Sequence, residues 1–370
     1  MKLERNKDSG IYLMAGVLAA LWLVLAVLPQ TQGVFFTQAN LGNLMLQCAT
    51  LMVVAVGMTF VILIRGIDLS VGAGVALTGT VAAMIQIKCG GSAMLSIAAA
   101  LAVGAVLGLW HGWWTSRGIP AFVVTLAGFK AYRGGALVLS GSKGLSPMNE
   151  DFSYLARTLP VTPTLILIVL ALAAGIALTL RDASRRRQLK LAAQPIGMKV
   201  GAMIALAAAI AYIFSARGIP VQVLIAATIA LWAIFVTKRT RFGRHLYAIG
   251  GNPEAARLSG VNVRNVTIGA FVIVGVLTAI AGVMLAARVN GVTPGSQGNL
   301  LELDAVTAVV IGGTALSGGR GSIVGTVLGT IVFATLSNGM NLLHVDSNLQ
   351  LIFTGLVLLA AVQISKGKRS

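Results

Sequence analysis

The chain is 370 residues long, 57% hydrophobic and only 10% charged, with mean hydropathy +0.89 and a formal net charge of +18. So few charges, against the ~25% usual in soluble domains, exclude an ordinary water-soluble fold. The basic residues lie in short gaps between apolar runs, not on one polar face, which is the placement of a membrane topology and argues against nucleic acid as a partner.

Twelve apolar segments follow in chain order, at about 11–28, 41–64, 71–87, 93–114, 121–139, 162–180, 200–216, 219–236, 266–287, 303–316, 323–338 and 349–364. A span takes roughly 20 apolar residues, because the helix rises ~1.5 Å per residue through ~30 Å of hydrocarbon. The expected fold class is therefore all-α, a polytopic membrane protein of about 10–12 transmembrane helices forming one domain over residues 1–370. The second segment has room for a broken stretch, and the tenth is short enough to be re-entrant. The first follows Lys2, Arg5 and Lys7 as a signal peptide would. Leu28-Pro29-Gln30-Thr31 lacks a small-x-small cleavage pattern, so the segment reads as a retained span.

Alternate connectors differ sharply in charge. Twenty-one of the 28 basic residues fall on one set. Only Lys88, Lys143, Arg157, Arg217 and Arg288 fall on the other, and Lys130 and Arg133 lie inside the fifth segment. By the positive-inside rule both termini are expected in the cytoplasm. Two cytoplasmic loops stand out. Residues 181–199 carry Arg185-Arg186-Arg187, which read as a topology anchor against anionic membrane lipid.

The second loop, 237–265, holds a short helix signal. Asn252 suits an N-cap, Pro253 the first helical position, Glu254 the positive dipole end, and Gly260 a left-handed stop. The residues between, Ala255, Ala256, Arg257, Leu258 and Ser259, complete about two turns, too few to persist alone in water. The helix must pack on its own bundle or dock into a partner.

Other features carry plainer readings. Gly104, Gly108 and Gly112 form one row at four-residue spacing, and Gly321, Gly325 and Gly329 another; both suit close helix packing. The run Gly312–Ser322 lacks the lysine and hydroxyl of a phosphate loop and reads as a glycine-rich reversal. Cys48 and Cys89 show no metal spacing and read as small apolar residues. His111, His245 and His344 lie apart, none beside a carboxylate in sequence. His111 sits among Trp110, Trp113 and Trp114, as at a membrane interface. No catalytic set, metal site or cofactor site is expected in this chain.

Three charged positions near apolar runs invite function. Asp68, in Arg65-Gly66-Ile67-Asp68-Leu69-Ser70-Val71-Gly72, reads as a helix cap together with Ser70, with Arg65 as an ion partner; the alternative is a gate near the cytoplasmic mouth. Lys130 and Arg133, three residues apart, share one helical face. They either face the translocation path or snorkel to headgroups.

Four ordered motifs carry a resemblance over nearly the whole chain. Gly66–Gly72, Val123-Val124-Thr125-Leu126-Ala127-Gly128, Ala248–Gly260 and Ile311-Gly312-Gly313-Thr314 resemble the permeases of monosaccharide ABC importers. The extra apolar pair 162–180 and 200–216, with its arginine-rich connector, resembles the xylose-type branch. The resemblance implies a multi-pass subunit of the bacterial inner membrane that works as a second-copy homodimer. It also implies a cytoplasmic ATP-binding subunit and a periplasmic sugar-binding protein as partners, with residues 253–259 as the helix that couples to the ATPase. Rival readings are the same machinery carrying ribose, another sugar or branched-chain amino acids, and an ion-coupled secondary transporter. The latter would use Asp68, Glu302 or Asp304, all placed near span ends.

Overall fold

The computed structural model describes residues 2–189 and 196–367, with side chains over 13–189 and 196–363. All twelve apolar segments form helices. In order they are α1 (Lys2–Val27), α2 (Gln38–Leu63), α3 (Val71–Ile87), α4 (Ala93–Thr115), α5 (Ala121–Ser140), a short α6 (Glu150–Ser153) leading into one 3-10 turn, α7 (Val161–Gln188) and α8 (Ile196–Phe214). There follow α9 (Val221–Arg239), α10 (Arg241–Gly251), α11 (Pro253–Leu258), α12 (Val263–Arg288), α13 (Leu301–Ile311), α14 (Ile323–Leu342) and α15 (Ser347–Gly367). Among the described residues there is no strand, only the isolated bridges Leu145–Val292 and Thr158–Pro220.

Helices start where the sequence supplies a cap. Thr37, Ser92, Asn262 and Ser322 accept backbone N–H bonds at the heads of α2, α4, α12 and α14, satisfying donors that would otherwise be orphaned. Pro120, Pro160 and Pro220 precede α5, α7 and α9 in extended backbone. The α region is disfavoured before a proline and the ring fixes φ, so each proline sets a sharp helix start.

Among the described residues, eight helices, α2, α4, α5, α7, α8, α9, α12 and α14, are long and apolar enough to cross a membrane, and α1, α3 and α15 carry shorter apolar stretches. The tenth segment is indeed short: the eleven residues of α13 rise only ~16 Å. The chain before it, 289–300, is non-helical, so α13 begins only after an irregular stretch. The second segment, by contrast, is one unbroken helix of 26 residues.

α2 is the central element, with 83% of its apolar window buried, whereas α7 and α8 are 6% and 0% buried and face outward. Around α2 the packing repeats. α2 and α12 lie against each other; α12 packs on α3 and α4, and α2 on α13 and α14; α3 packs on α4 and α5, and α13 on α14 and α15. The unit α2–α5 is thus matched by α12–α15, and each unit contains one helix that begins abruptly after an irregular segment, α3 and α13. Internal repeats built around discontinuous helices are a recurrent plan of membrane transport proteins.

The glycine rows serve contacts within the chain. A Cβ at Gly104 would overlap the carbonyl of Gly275, one at Gly108 the carbonyl of Phe271, and one at Gly112 the backbone of Ile268. α4 and α12 therefore touch backbone to backbone. Gly325 and Gly329 pack in the same way on Gly312 and Ala308.

Three local expectations are corrected. Arg185-Arg186-Arg187 belong to the last turns of α7 rather than to a loop, with Arg186 paired to Asp182 at 3.0 Å one turn back. Lys190 and residues 191–195 lie outside the described residues. Cys48 is buried, but Cys89 is exposed beyond the end of α3. Finally, the loop 237–265 holds a second helix, α10, whose Leu246 and Ile249 face the core while Arg241 and Arg244 face out.

Candidate functional site

Two sites emerge on one half of the molecule: a buried polar junction ahead of α3, and the surface helix α11. α2 ends at Leu63 and the chain turns sharply, with Arg65 N–H bonding to Ile62 O at 2.9 Å and Gly66 N–H to Val61 O at 2.9 Å. The turn aims Asp68 inward, where it is 2% exposed. Its Oδ1 accepts from the Ser70 N–H at 2.8 Å and the Ser70 hydroxyl at 2.6 Å. Asp68 therefore closes a tight turn onto Ser70, the residue that opens α3, and neither side chain accepts an N–H from the first turn of the helix. Thr125 braces the same segment from α5, accepting from Leu69 N–H at 3.1 Å and donating to Ile67 O at 3.2 Å.

The other carboxylate oxygen meets a residue that sequence reasoning placed elsewhere. Asp68 Oδ2 lies 3.5 Å from His111 Nδ1, and His111 Nε2 lies 2.9 Å from the Tyr132 hydroxyl. His111 is 2% exposed. The interfacial reading fits its neighbours, since Trp110 is exposed and Arg117 stacks on Trp113 at 3.7 Å. It fails for His111, which faces inward on α4, between Tyr132 and Phe271. Nor is Arg65 the ion partner of Asp68: its guanidinium donates to the Gly250 and Gly251 carbonyls. A carboxylate buried in a membrane protein requires such a partner.

Asp68 itself lies in the connector between α2 and α3. His111 stands four residues before the end of α4, roughly 6 Å inside it, and Tyr132 is near the middle of α5. Glu302, in the first turn of the half-helix α13, is also buried, and Asp304 is partly buried. A Cβ at Gly72, near the start of α3, would overlap the Glu302 carboxylate and the Gly298 carbonyl. The two interrupted helices thus meet close to where each begins.

Lys130 and Arg133 part company. Arg133 turns to the irregular segment before α13, donating from Nη1 to Pro294 O and Gln297 O, each at 2.8 Å. Lys130 is exposed.

α11 is built as its sequence signals require. Asn252 Oδ1 accepts from Glu254 N–H at 3.0 Å and Ala255 N–H at 3.1 Å, Pro253 opens the helix, Ser259 is the C-cap and Gly260 follows with φ +82°. Its two faces differ. Ala256 is 4% exposed and belongs to the main hydrophobic core, while Leu258 is 78% exposed. Ala256 is therefore an anchor to the chain's own bundle rather than a point of partner approach. Glu254 and Arg257 pair with each other at 2.7 Å; the hydrogen bond and charge of Arg257 hold the exposed Glu254 carboxyl below its ordinary range. What α11 offers outward is an apolar side chain beside a neutralised pair.

The helical bundle, with helices long and apolar enough to cross a membrane, has the architecture of a multi-pass membrane protein. Comparison with known proteins gives the family. The profile of the permease component of branched-chain amino acid transport systems matches residues 40–362. The chain is 38% identical to the xylose transport system permease protein XylH of Escherichia coli (strain K12), over 96% of this chain and 92% of that protein. It is 37% identical to XylH of Haemophilus influenzae, over 97% and 96%. It is 36% identical to the ribose import permease protein RbsC of Escherichia coli (strain K12), over 95% and 93%. No solved structure matches. The chain belongs to this family of transport permeases.

Proposed function

We propose that this protein is the inner-membrane permease subunit of an ATP-driven importer of D-xylose. The observation that carries the reading is likeness to xylose permeases of two organisms across nearly the full length of both chains. A second reading, ribose, is favoured by the 36% identity to the ribose permease. In either case both termini lie in the cytoplasm, as the charge bias of the connectors supports. Two copies form the path between them, a periplasmic protein delivers the sugar, and a separate cytoplasmic subunit hydrolyses ATP.

α11 is the docking element for that ATPase. It is held by Ala256 and Asn252 on one side and presents Leu258 on the other, suited to an apolar pocket at the centre of an interface. ATP binding favours one permease conformation only if the docked contacts differ between states. Asp68, Ser70 and Arg133 then act as positioning groups that hold the interrupted helices, and none needs to bind sugar. The test is to purify the permease with its binding protein and identify the retained solute. Retained xylose supports the first reading, retained ribose the second, and an amino acid would overturn both.

A further inference from the structure

Three segments at the α11 end of the molecule are locked together almost backbone to backbone. Arg65 follows α2 with φ 68°, in the left-handed region that residues with side chains rarely adopt. Its side chain reaches across the end of α10, donating from Nε to Gly250 O at 2.9 Å and from Nη2 to Gly251 O at 2.5 Å. Gly251 is the last residue of α10, and the next residue, Asn252, is both the C-cap of α10 and the N-cap of α11. The guanidinium therefore grips the corner from which α11 starts.

The backbone beneath is as close. The Gly319 N–H donates to Leu63 O at 3.0 Å. A Cβ at Gly250 would overlap Leu63 O and Gly319 N, and one at Gly318 would overlap the Arg65 side chain. Gly318 and Gly319 lie in the turn between α13 and α14, and the Tyr247 hydroxyl of α10 donates to Gly321 O in the same turn at 3.0 Å. A displacement of α11 cannot be absorbed at so close a corner. It must move the end of α2, the α13–α14 turn, or both. Three residues beyond Arg65 stands Asp68, tied through His111 to α4 and through Tyr132 to α5.

We infer that Arg65 is the positioning residue that passes displacement of α11 into the membrane core, toward the Asp68 junction on one side and the α13 half-helix on the other. The inference rests on the reading of α11 as the ATPase docking element. Two features fit the role. A backbone held in a sparsely populated conformation persists only where its surroundings over-determine it. Two carbonyls at a fixed separation suit the rigid guanidinium fork, which a lysine ammonium lacks.

The test uses the full complex in proteoliposomes, with ATPase and binding protein, and three variants. Arg65→Gly removes the fork and relieves the positive φ, so folding is spared. Arg65→Lys keeps the charge without the fork. Leu258→Arg blocks the exposed docking face alone. Both Arg65 variants are expected to retain ATPase association and ATP hydrolysis, while solute moved per ATP falls, less for Lys than for Gly. Unchanged solute per ATP in Arg65→Gly would overturn the inference. So would loss of ATPase association in the Arg65 variants, which would make Arg65 part of docking rather than of transmission. Full association and uptake in Leu258→Arg would instead remove the docking reading on which the inference stands.

Discussion

The contact between Asp68 and His111 sets a measurable coupling between two residues 43 positions apart. Replacing Asp68 with Asn keeps an oxygen for the two Ser70 bonds, and Asn closes such a turn as Asp does. What is lost is charge: bonds to a charged group contribute ~1.5–3 kcal/mol and neutral ones ~0.5–1.5, so Asp68→Asn should cost about 1–2 kcal/mol. His111→Phe keeps a ring against Phe271 and Tyr132 but leaves the Oδ2 of the buried Asp68 carboxylate without its partner, which for a charged group costs about 3 kcal/mol or more. In the Asp68→Asn background the same change strands only a neutral amide, at about 1–3 kcal/mol. The double-mutant cycle should therefore show about 1 kcal/mol or more of interaction, within the usual range for residues in contact. The assay is denaturant unfolding of the purified permease in detergent for wild type, both single variants and the double variant. Additivity within about 0.5 kcal/mol would show that the two side chains do not interact and refute the junction as drawn.

The remaining expectations concern topology, packing and docking. Cys89 is exposed and Cys48 buried, so in intact cells an impermeant thiol reagent should label Cys89 alone, and the Cys89→Ser variant should not be labelled; protection of Cys89 would reverse the proposed orientation. Gly108→Val should abolish folded protein, because its Cβ would overlap the Phe271 carbonyl, whereas Gly134→Val, facing open space, should express normally; equal yields would contradict the α4–α12 seam. Leu258→Arg should leave folding intact yet lose the ATPase in pull-down, whereas Ala256→Arg should misfold because Ala256 is in the core; full ATPase recovery with Leu258→Arg would rule out docking through that face.

What the sequence disclosed follows from the physics of membranes. Every apolar run of span length formed a helix because lipid leaves the backbone no other way to satisfy its polar groups. The α11 signals were equally local: Asn252, Pro253 and Gly260 each act within a few residues, and each stands where its chemistry placed it. α10 went unread, although Leu246 and Ile249 are spaced for one helical face and Thr240 accepts from Gly243 N–H as an N-cap. Its basic residues drew attention to topology instead. The junction was hidden for a different reason. Asp68 sees His111 only once α4 lies beside α3, and the tryptophans around His111 argued for an interface its own side chain does not share. Arg65 was misassigned because sequence proximity favoured Asp68, while its two acceptors lie some 185 residues away.

The most direct test of the account is sugar uptake into proteoliposomes holding this permease and its ATPase. An ATP-driven importer should accumulate labelled D-xylose only when ATP is present on the ATPase side and the binding protein on the other. Collapse of proton and sodium gradients should leave the rate unchanged. Uptake driven by an ion gradient without ATP or binding protein would contradict the account and return Asp68 and Glu302 to the role of ion-coupling carboxylates.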